Sequence, residues 1–406
     1  MKVSILTLLL GAVQNLFCEF TIARTDTTTR GLIVYAICKI TPSSSIAVDP
    51  HIAIYFRPIS GIFQTALSGV TLDIGMFYDG PELAPGCRLT PLPHVPQQGC
   101  HNDEGDLKEN MTKEIASIDF YSDGTRCRGR LFLPEGEEWP PVVVMGHGLG
   151  AQQDFRLPAF AERFVARGLA VFTFDYRHWG ESDGEPRQLL IPQKQKQDWH
   201  AALACVRGLA QVDGKRLAIW GSSFGGAHVI QVAADDHNIS AVVSQVMAAD
   251  TASAVKSFGL GYMLKTASLS IADSLRGMLG LKPLYLPLVG KPGETAVMNT
   301  AECWDGYLGL VPEGSNWRNE VTARSVLRLA SYRATTVAHK VTAPTLLMGG
   351  QHDSLVAIED IRKLAAKMPD AVLQEYDCDH FQPYYPPMFE TFVSRQADFL
   401  VEKLKP

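Results

Sequence analysis

No two of the chain's eight cysteines are spaced as Cys-x-x-Cys, and their wide scatter from Cys18 to Cys378 forms no dense disulfide framework. That argues against a zinc knuckle and a stapled scaffold, and for mostly reduced thiols in an intracellular protein. A surplus of positive charge is lacking too. With 37 Lys and Arg against 43 Asp and Glu the net charge is −6, so nothing electrostatic recommends a nucleic acid or an anionic membrane as partner. No P-loop and no Gly-x-Gly-x-x-Gly stands at a strand–helix junction, and no metal cluster is evident, so no metal and no cofactor is expected. Long apolar runs are also missing. MKVSILTLLLGAV, residues 1–13, is too short for a stable membrane span. One lysine followed by a short apolar run resembles a signal peptide, but QNLFCEF downstream has no clear small-x-small cleavage site. A cytoplasmic location is favoured, with secretion left open by those residues.

What is present is the composition of an ordinary soluble protein, in a chain of 406 residues, long enough for one large domain with an insertion or for two domains. Residues 1–110 are a patchwork of apolar, loop-like and Pro/Gly-rich stretches without a sustained period. They are expected to be a poorly ordered extension, a small appendage, or a gene-model artefact with Met111 as the natural start. After Met111 the pattern becomes regular. IASIDFYS and RCRGRLFLP read as strands paired around a DGT turn. PPVVVMG, LAVFTFD, RLAIW, AVVSQVM, PTLLMGG and AVLQEYD read as further strands, with helices following several of them. This alternation predicts a doubly wound α/β sheet with mainly parallel strands over 111–247 and 344–406. The alternation fails for about a hundred residues, 248–343, where SIADSLRGMLGL and VTARSVLRLASYRATTVAHK have helical spacing. A mainly helical cap over the carboxyl edge of the sheet is expected there.

Ligands of such sheets bind beyond the carboxyl ends of the strands, and four motifs fall at such ends. Gly221-Ser222-Ser223-Phe224-Gly225 follows RLAIW and matches Gly-x-Ser-x-Gly, whose central serine sits on a strained strand-to-helix turn. Ser223 is therefore the candidate nucleophile, and Ser222 a small neighbour. Asp353, in Gly349-Gly350-Gln351-His352-Asp353, can orient a histidine. His380, in Asp377-Cys378-Asp379-His380-Phe381, is the candidate general base. The order Ser223, Asp353, His380 gives these residues their weight. The fourth motif is His147-Gly148-Leu149-Gly150. The backbone N–H groups of Leu149 and Phe224 are the candidate oxyanion hole, with His147 holding the loop. A fifth stretch, Asp175 to Gly184, is read as a bracing loop whose Trp179 touches substrate. The alternatives are a Gly-rich turn with buried serines, an isolated structural histidine, and a surface acid.

The HGLG, DYRHWGESDG, GSSFGG, GGQHD and DCDHF stretches together resemble the α/β-hydrolase superfamily over about three quarters of the chain. Within it the chain looks closest to dienelactone-hydrolase-like enzymes and to the fungal polyketide transferases and hydrolases of secondary-metabolite clusters. That resemblance implies an acyl-serine intermediate, no cofactor, and transfer of an acyl group from an ester or thioester to water or an alcohol. The implied partner is a small-molecule acyl substrate, for which a carrier-bound polyketide is one form. A general esterase, a serine peptidase, and a non-catalytic ligand-binding protein on the same fold are the rival readings.

Overall fold

The computed structural model describes residues 18–23, 33–38, 88–90, 115–252, 259–329 and 331–405. The reading of residues 1–110 therefore falls largely outside the described residues. The chain divides into two compact units, Met1–Pro81 and Glu82–Pro406. In the first, β1 (Cys18–Ala23) pairs antiparallel with β2 (Ile33–Cys38). The second contains β3 (Arg88–Thr90), β4 (Ile115–Ser122), β5 (Thr125–Phe132), β6 (Pro141–Gly146), α1 (Leu157–Val165), β7 (Ala170–Phe174), α2 (Pro192–Arg207), β8 (Asp213–Ser222), α3 (Phe224–Ala233) and β9 (Ala241–Gln245). The segment 248–343 follows, with α4 (Gly259–Met278), β10 (Tyr285–Leu286), α5 (Cys303–Leu308), β11 (Val321–Thr322) and α6 (Arg324–Leu329). The chain then returns to the sheet as β12 (Thr345–Gly350), α7 (Ile358–Ala365), β13 (Ala371–Tyr376) and α8 (Met388–Leu404).

The sheet order is β13-β12-β9-β8-β6-β7-β5-β4-β3. From β13 to β7 every pair is parallel, whereas β7/β5, β5/β4 and β4/β3 are antiparallel. This is the expected α/β architecture. The DGT turn joins β4 to β5 with positive φ at both Asp123 (49°) and Gly124 (75°), the geometry that suits the twist of a tight hairpin. The continuous apolar runs become fully buried central strands: every residue of β6, β7, β9 and β12 is buried. Strands covered on both faces need apolar surface on both, which is why the few polar residues here, Thr173, Ser244, Gln245 and Thr345, are themselves buried rather than alternating outward. Among the described cysteines, Cys127, Cys303 and Cys378 are free and buried, as expected, but Cys205 is disulfide-bonded.

The 248–343 segment holds α4, α5 and α6, together with the short β10/β11 ribbon and long irregular connections. VTARSVLRLASYRATTVAHK is not one helix. It divides into β11, α6 and two single 3₁₀ turns, Ala334–Thr336 and Ala338–Lys340. Tertiary contacts end α6: the Thr251 hydroxyl lies 2.6 Å from the carbonyls of both Leu329 and Tyr332. At the Leu329 carbonyl this side chain from elsewhere in the chain joins the local Tyr332 N–H (2.9 Å), a contact that no local periodicity reveals.

Phe172 on β7 is wholly buried, against Phe120 and Phe174 and beneath Gly129, where a Cβ would lie 2.1 Å from its ring. Phe172→Ala leaves a cavity in this layer and is expected to lower the unfolding free energy by about 3–5 kcal/mol in chemical denaturation.

Candidate active site

The strand β8 ends at Ser222 and α3 begins at Phe224, so the whole turn is Ser223. Its φ of 56° and ψ of −119° are strained for a residue with a side chain. The flanking glycines are a steric necessity. A Cβ at Gly221 would lie 2.2 Å from the Gly225 carbonyl oxygen, and one at Gly225 would lie 2.5 Å from both the Gly146 and His147 oxygens. The turn is pinned by hydrogen bonds: Ser223 N–H donates to the Gln245 carbonyl (3.0 Å), and Ala248 N–H donates to the Ser223 carbonyl (3.1 Å).

Three loops bring their side chains to this turn. After β12, Asp353 Oδ1 accepts from the N–H groups of Leu355 (2.9 Å) and Val356 (2.7 Å). Its Oδ2 is thereby aimed at His380 Nδ1, 2.6 Å away. After β13, His380 places Nε2 3.0 Å from Ser223 Oγ. A carboxylate only accepts, so Nδ1 carries the hydrogen and Nε2 is left to accept from the serine hydroxyl. Burial alone pulls the His380 pKa down, but the charge and hydrogen bond of Asp353, with the charges of Glu302 and Asp379, outweigh it and raise it above the usual value.

After β6, the loop at His147 runs beside the turn. His147 is buried, its Nδ1 is paired with the Gly148 carbonyl (3.1 Å), and burial pushes its pKa down to about 4. It is held neutral, in keeping with a residue that braces the loop. No protein acceptor takes the N–H of Leu149 or of Phe224 among the described residues. The carbonyls of that loop are occupied: Tyr307 Oη–H donates to Leu149 O (2.8 Å) and Trp317 Nε1–H to Gly150 O (2.8 Å). Both donors come from the 248–343 segment. The Phe224 ring packs on His228 and Tyr332, away from this role.

Trp179 is the correction. Expected to touch substrate, it is fully buried, gives its indole N–H to Leu189 O (3.1 Å), and does not line the cavity at Ser223. The loop does brace: the Asp175 carboxylate accepts from Gln153 N–H (2.8 Å), its side-chain amide (3.1 Å) and Glu181 N–H (3.0 Å). His228 is a packed core residue between Tyr332 and Gln195, and His200 faces Asp235 at the surface.

Other residues at the site had no local signal. Ser222 is more than a small neighbour. Its Oγ pairs with Tyr384 Oη (2.5 Å) and accepts from Gln245 Nε2 (3.0 Å), and the chain continues through Gln396 to the Trp220 indole. The cavity above Ser223 is lined mainly by apolar groups, among them Leu149, Phe155, Leu157, Met298, Leu310 and Phe381. Met298, Tyr307 and Leu310, from the 248–343 segment, form part of this lining. Aromatics of 248–343 such as Tyr307 are visible in the sequence, but nothing in their spacing says which of them faces the site.

A family model described as alpha/beta hydrolase fold matches residues 141–387, more than half of the chain. The chain belongs to the alpha/beta hydrolase family. It is 39% identical over 296 residues, 73% of its length and 97% of the relative's, to the quorum-quenching protein AidA of Acinetobacter baumannii. Fungal relatives carry the names polyketide transferase and thiohydrolase. One is polyketide transferase ATR5 of Stachybotrys chlorohalonatus, 29% identical over 308 residues that span 73% of this chain and 99% of that one. The crystal structure of the alpha/beta hydrolase GrgF from Penicillium superposes with a TM-score of 0.62 at 22% identity, over 72% of this chain and all of that one. The resemblance drawn from the motifs is thus borne out for the family and for its fungal polyketide-transferase relatives. In this hydrolase, the histidines should separate on titration by NMR. His380 should titrate above the ordinary histidine value of about 6.5, and Asp353→Asn should bring it below, because burial is then no longer opposed by that charge.

Proposed function

We propose that this hydrolase is a serine-dependent acyl hydrolase or acyltransferase acting on an ester or thioester through an acyl-serine intermediate. The observation that carries the reading is the bridge made by His380, 2.6 Å from Asp353 on one side and 3.0 Å from Ser223 on the other. In this scheme His380 Nε2 takes the Ser223 proton as Oγ attacks the carbonyl carbon. The tetrahedral oxyanion is met by the N–H groups of Leu149 and Phe224, which no protein acceptor occupies, at the N-terminus of α3. The carbonyl then re-forms, the C–O or C–S bond breaks, and His380 returns the proton to the leaving alcohol or thiol. Water or an acceptor alcohol, deprotonated by His380, attacks the acyl-serine in reverse order and frees the enzyme. No step calls on a cofactor.

The substrate class follows from the lining. An apolar acyl group matches the Leu, Phe and Met side chains around Ser223, and the names of the fungal relatives favour a thioester-linked polyketide acyl group in secondary metabolism. Met298, Tyr307 and Leu310 of the 248–343 segment line this cavity, so the acyl group passes them on entry and their closure over it excludes solvent from the acyl-enzyme. Tyr307 and Trp317 couple this closure to the chemistry, since both hold carbonyls of the loop that supplies the Leu149 N–H.

A fluorophosphonate probe tests the nucleophile. Wild type and Ser222→Ala should be labelled and Ser223→Ala should not, with ester turnover of Ser223→Ala lower by at least about 10⁴-fold. Labelling that survives in Ser223→Ala overturns the assignment by placing the nucleophile elsewhere, and no labelling of wild type overturns it by leaving a binding protein on this fold. Products formed from an acyl thioester, with and without an alcohol acceptor, then separate hydrolysis from transfer. Tyr307→Phe keeps the ring but frees the Leu149 carbonyl. Its kcat for a short-chain ester should fall about tenfold with KM nearly unchanged, because the loss is felt where the oxyanion develops.

A further inference from the structure

Helix α4 is built inside out. Its inward side is polar: Thr266, Ser270 and Asp273 are all buried. Each is satisfied there. The Thr266 hydroxyl donates to Tyr262 O (2.9 Å), and the Ser270 hydroxyl lies 2.6 Å from Ala323 O and 2.7 Å from Thr266 O. Asp273 accepts from the Arg324 guanidinium (2.7 and 3.0 Å) and from Leu284 N–H (2.8 Å). The outward side is apolar: Leu264, Ile271, Leu275 and Met278 recur at helical spacing, and Leu279 and Leu281 continue the patch past the helix end. These are six of the ten large hydrophobic side chains that stand exposed among the described residues, with Met278 at 83% and Leu279 at 74%. Surface helices normally turn the other way, and a contiguous exposed apolar face marks an interaction site.

Charge selects the occupant. The charged residues from 259 to 284 are Lys265, Asp273, Arg276 and Lys282. Asp273 is buried in its pair with Arg324, which leaves three cations and no exposed carboxylate on this stretch. A second copy laid antiparallel across the stripe would bring Lys265 of one molecule toward Arg276 of the other, a like-charge approach. Anionic lipid headgroups complement the same rim, while the acyl region beneath them takes the apolar stripe. The chain's net charge of −6 does not oppose this, because distant charges are screened beyond about 8 Å at physiological ionic strength and the headgroups meet the local rim. We propose that α4 docks the protein, cap first, on an anionic lipid surface, with the helix lying in the plane of the interface. The attachment is peripheral: among the described residues no helix is long and apolar enough to cross a membrane.

The test is flotation of the full-length protein with phosphatidylcholine vesicles, with or without about a quarter phosphatidylglycerol. Binding should be at least about tenfold stronger to the anionic vesicles and should weaken as salt is raised. Leu275→Ser combined with Met278→Ser should abolish it and Lys282→Glu should weaken it, with the circular dichroism spectrum and the turnover of a water-soluble ester unchanged. Equal flotation of wild type and the double variant overturns the proposal. So does failure of wild type to bind either vesicle. If wild type instead runs as a dimer in size-exclusion chromatography and the double variant as a monomer, the face belongs to a second copy. None of these outcomes depends on the identity of the nucleophile.

Discussion

The close approach of backbones at Gly221 and Gly225 sets the geometry on which the site depends. With only hydrogen on those Cα atoms, the start of α3 comes down onto the loop that follows β6. Ser223 is then forced into a positive φ and its hydroxyl is presented above the carboxyl edge of the sheet. The same contact brings the Leu149 loop beside the Phe224 N–H. The strain of a residue in this conformation is of the order of 1–3 kcal/mol and is held by a rigid surround: a buried β8 behind it and hydrogen bonds to Gln245 and Ala248 on either side.

Beneath the turn runs a buried polar chain from Trp220 through Gln396, Gln245 and Ser222 to Tyr384. It ties β8, β9 and α8 to the loop that carries His380. Every link is a satisfied hydrogen bond in a region shielded from water, where an unmet polar group is costly, so the chain favours one arrangement of these elements. Above the turn the 248–343 segment, expected to be a cap, supplies the complementary restraint. Tyr307 and Trp317 hold the Leu149 and Gly150 carbonyls, while Glu302, beside α5, accepts from the N–H and hydroxyl of Ser354, next to Asp353. The cap thus reaches both the loop of the proposed oxyanion donors and the loop of the proposed acid. The same segment carries α4, whose apolar face points outward.

Much of this was legible along the chain because it is local. The predominantly apolar runs of β6, β7, β9 and β12 announce strands covered on both faces. The glycine frame around Ser223, the acid after β12 and the histidine after β13 stand at strand ends, and in a parallel sheet all such ends lie on one edge. Trp179 shows the limit. It lies in a loop after a strand, as the site residues do, but a large indole with one donor is as well suited to a core position beside a free carbonyl, here Leu189, and sequence position does not distinguish the two. The helical period of 321–340 does not become one helix for a related reason: where α6 ends, the carbonyls of Leu329 and Tyr332 are met by the hydroxyl of Thr251, some eighty residues away.

The sequence by itself determined the class of the fold, the order of its strands and helices, and the three side chains that could meet, since these rest on hydrophobic period, turn chemistry and residue order. Only the tertiary structure decided that Nε2 of His380 lies 3.0 Å from Ser223, that Ser222 is spent on Tyr384 and Gln245, that the cap holds the loop carbonyls, and that α4 turns its polar side inward. Those outcomes depend on which distant groups come within hydrogen-bonding reach of one another. That reach is set by the packing of the whole molecule and leaves no trace in local spacing.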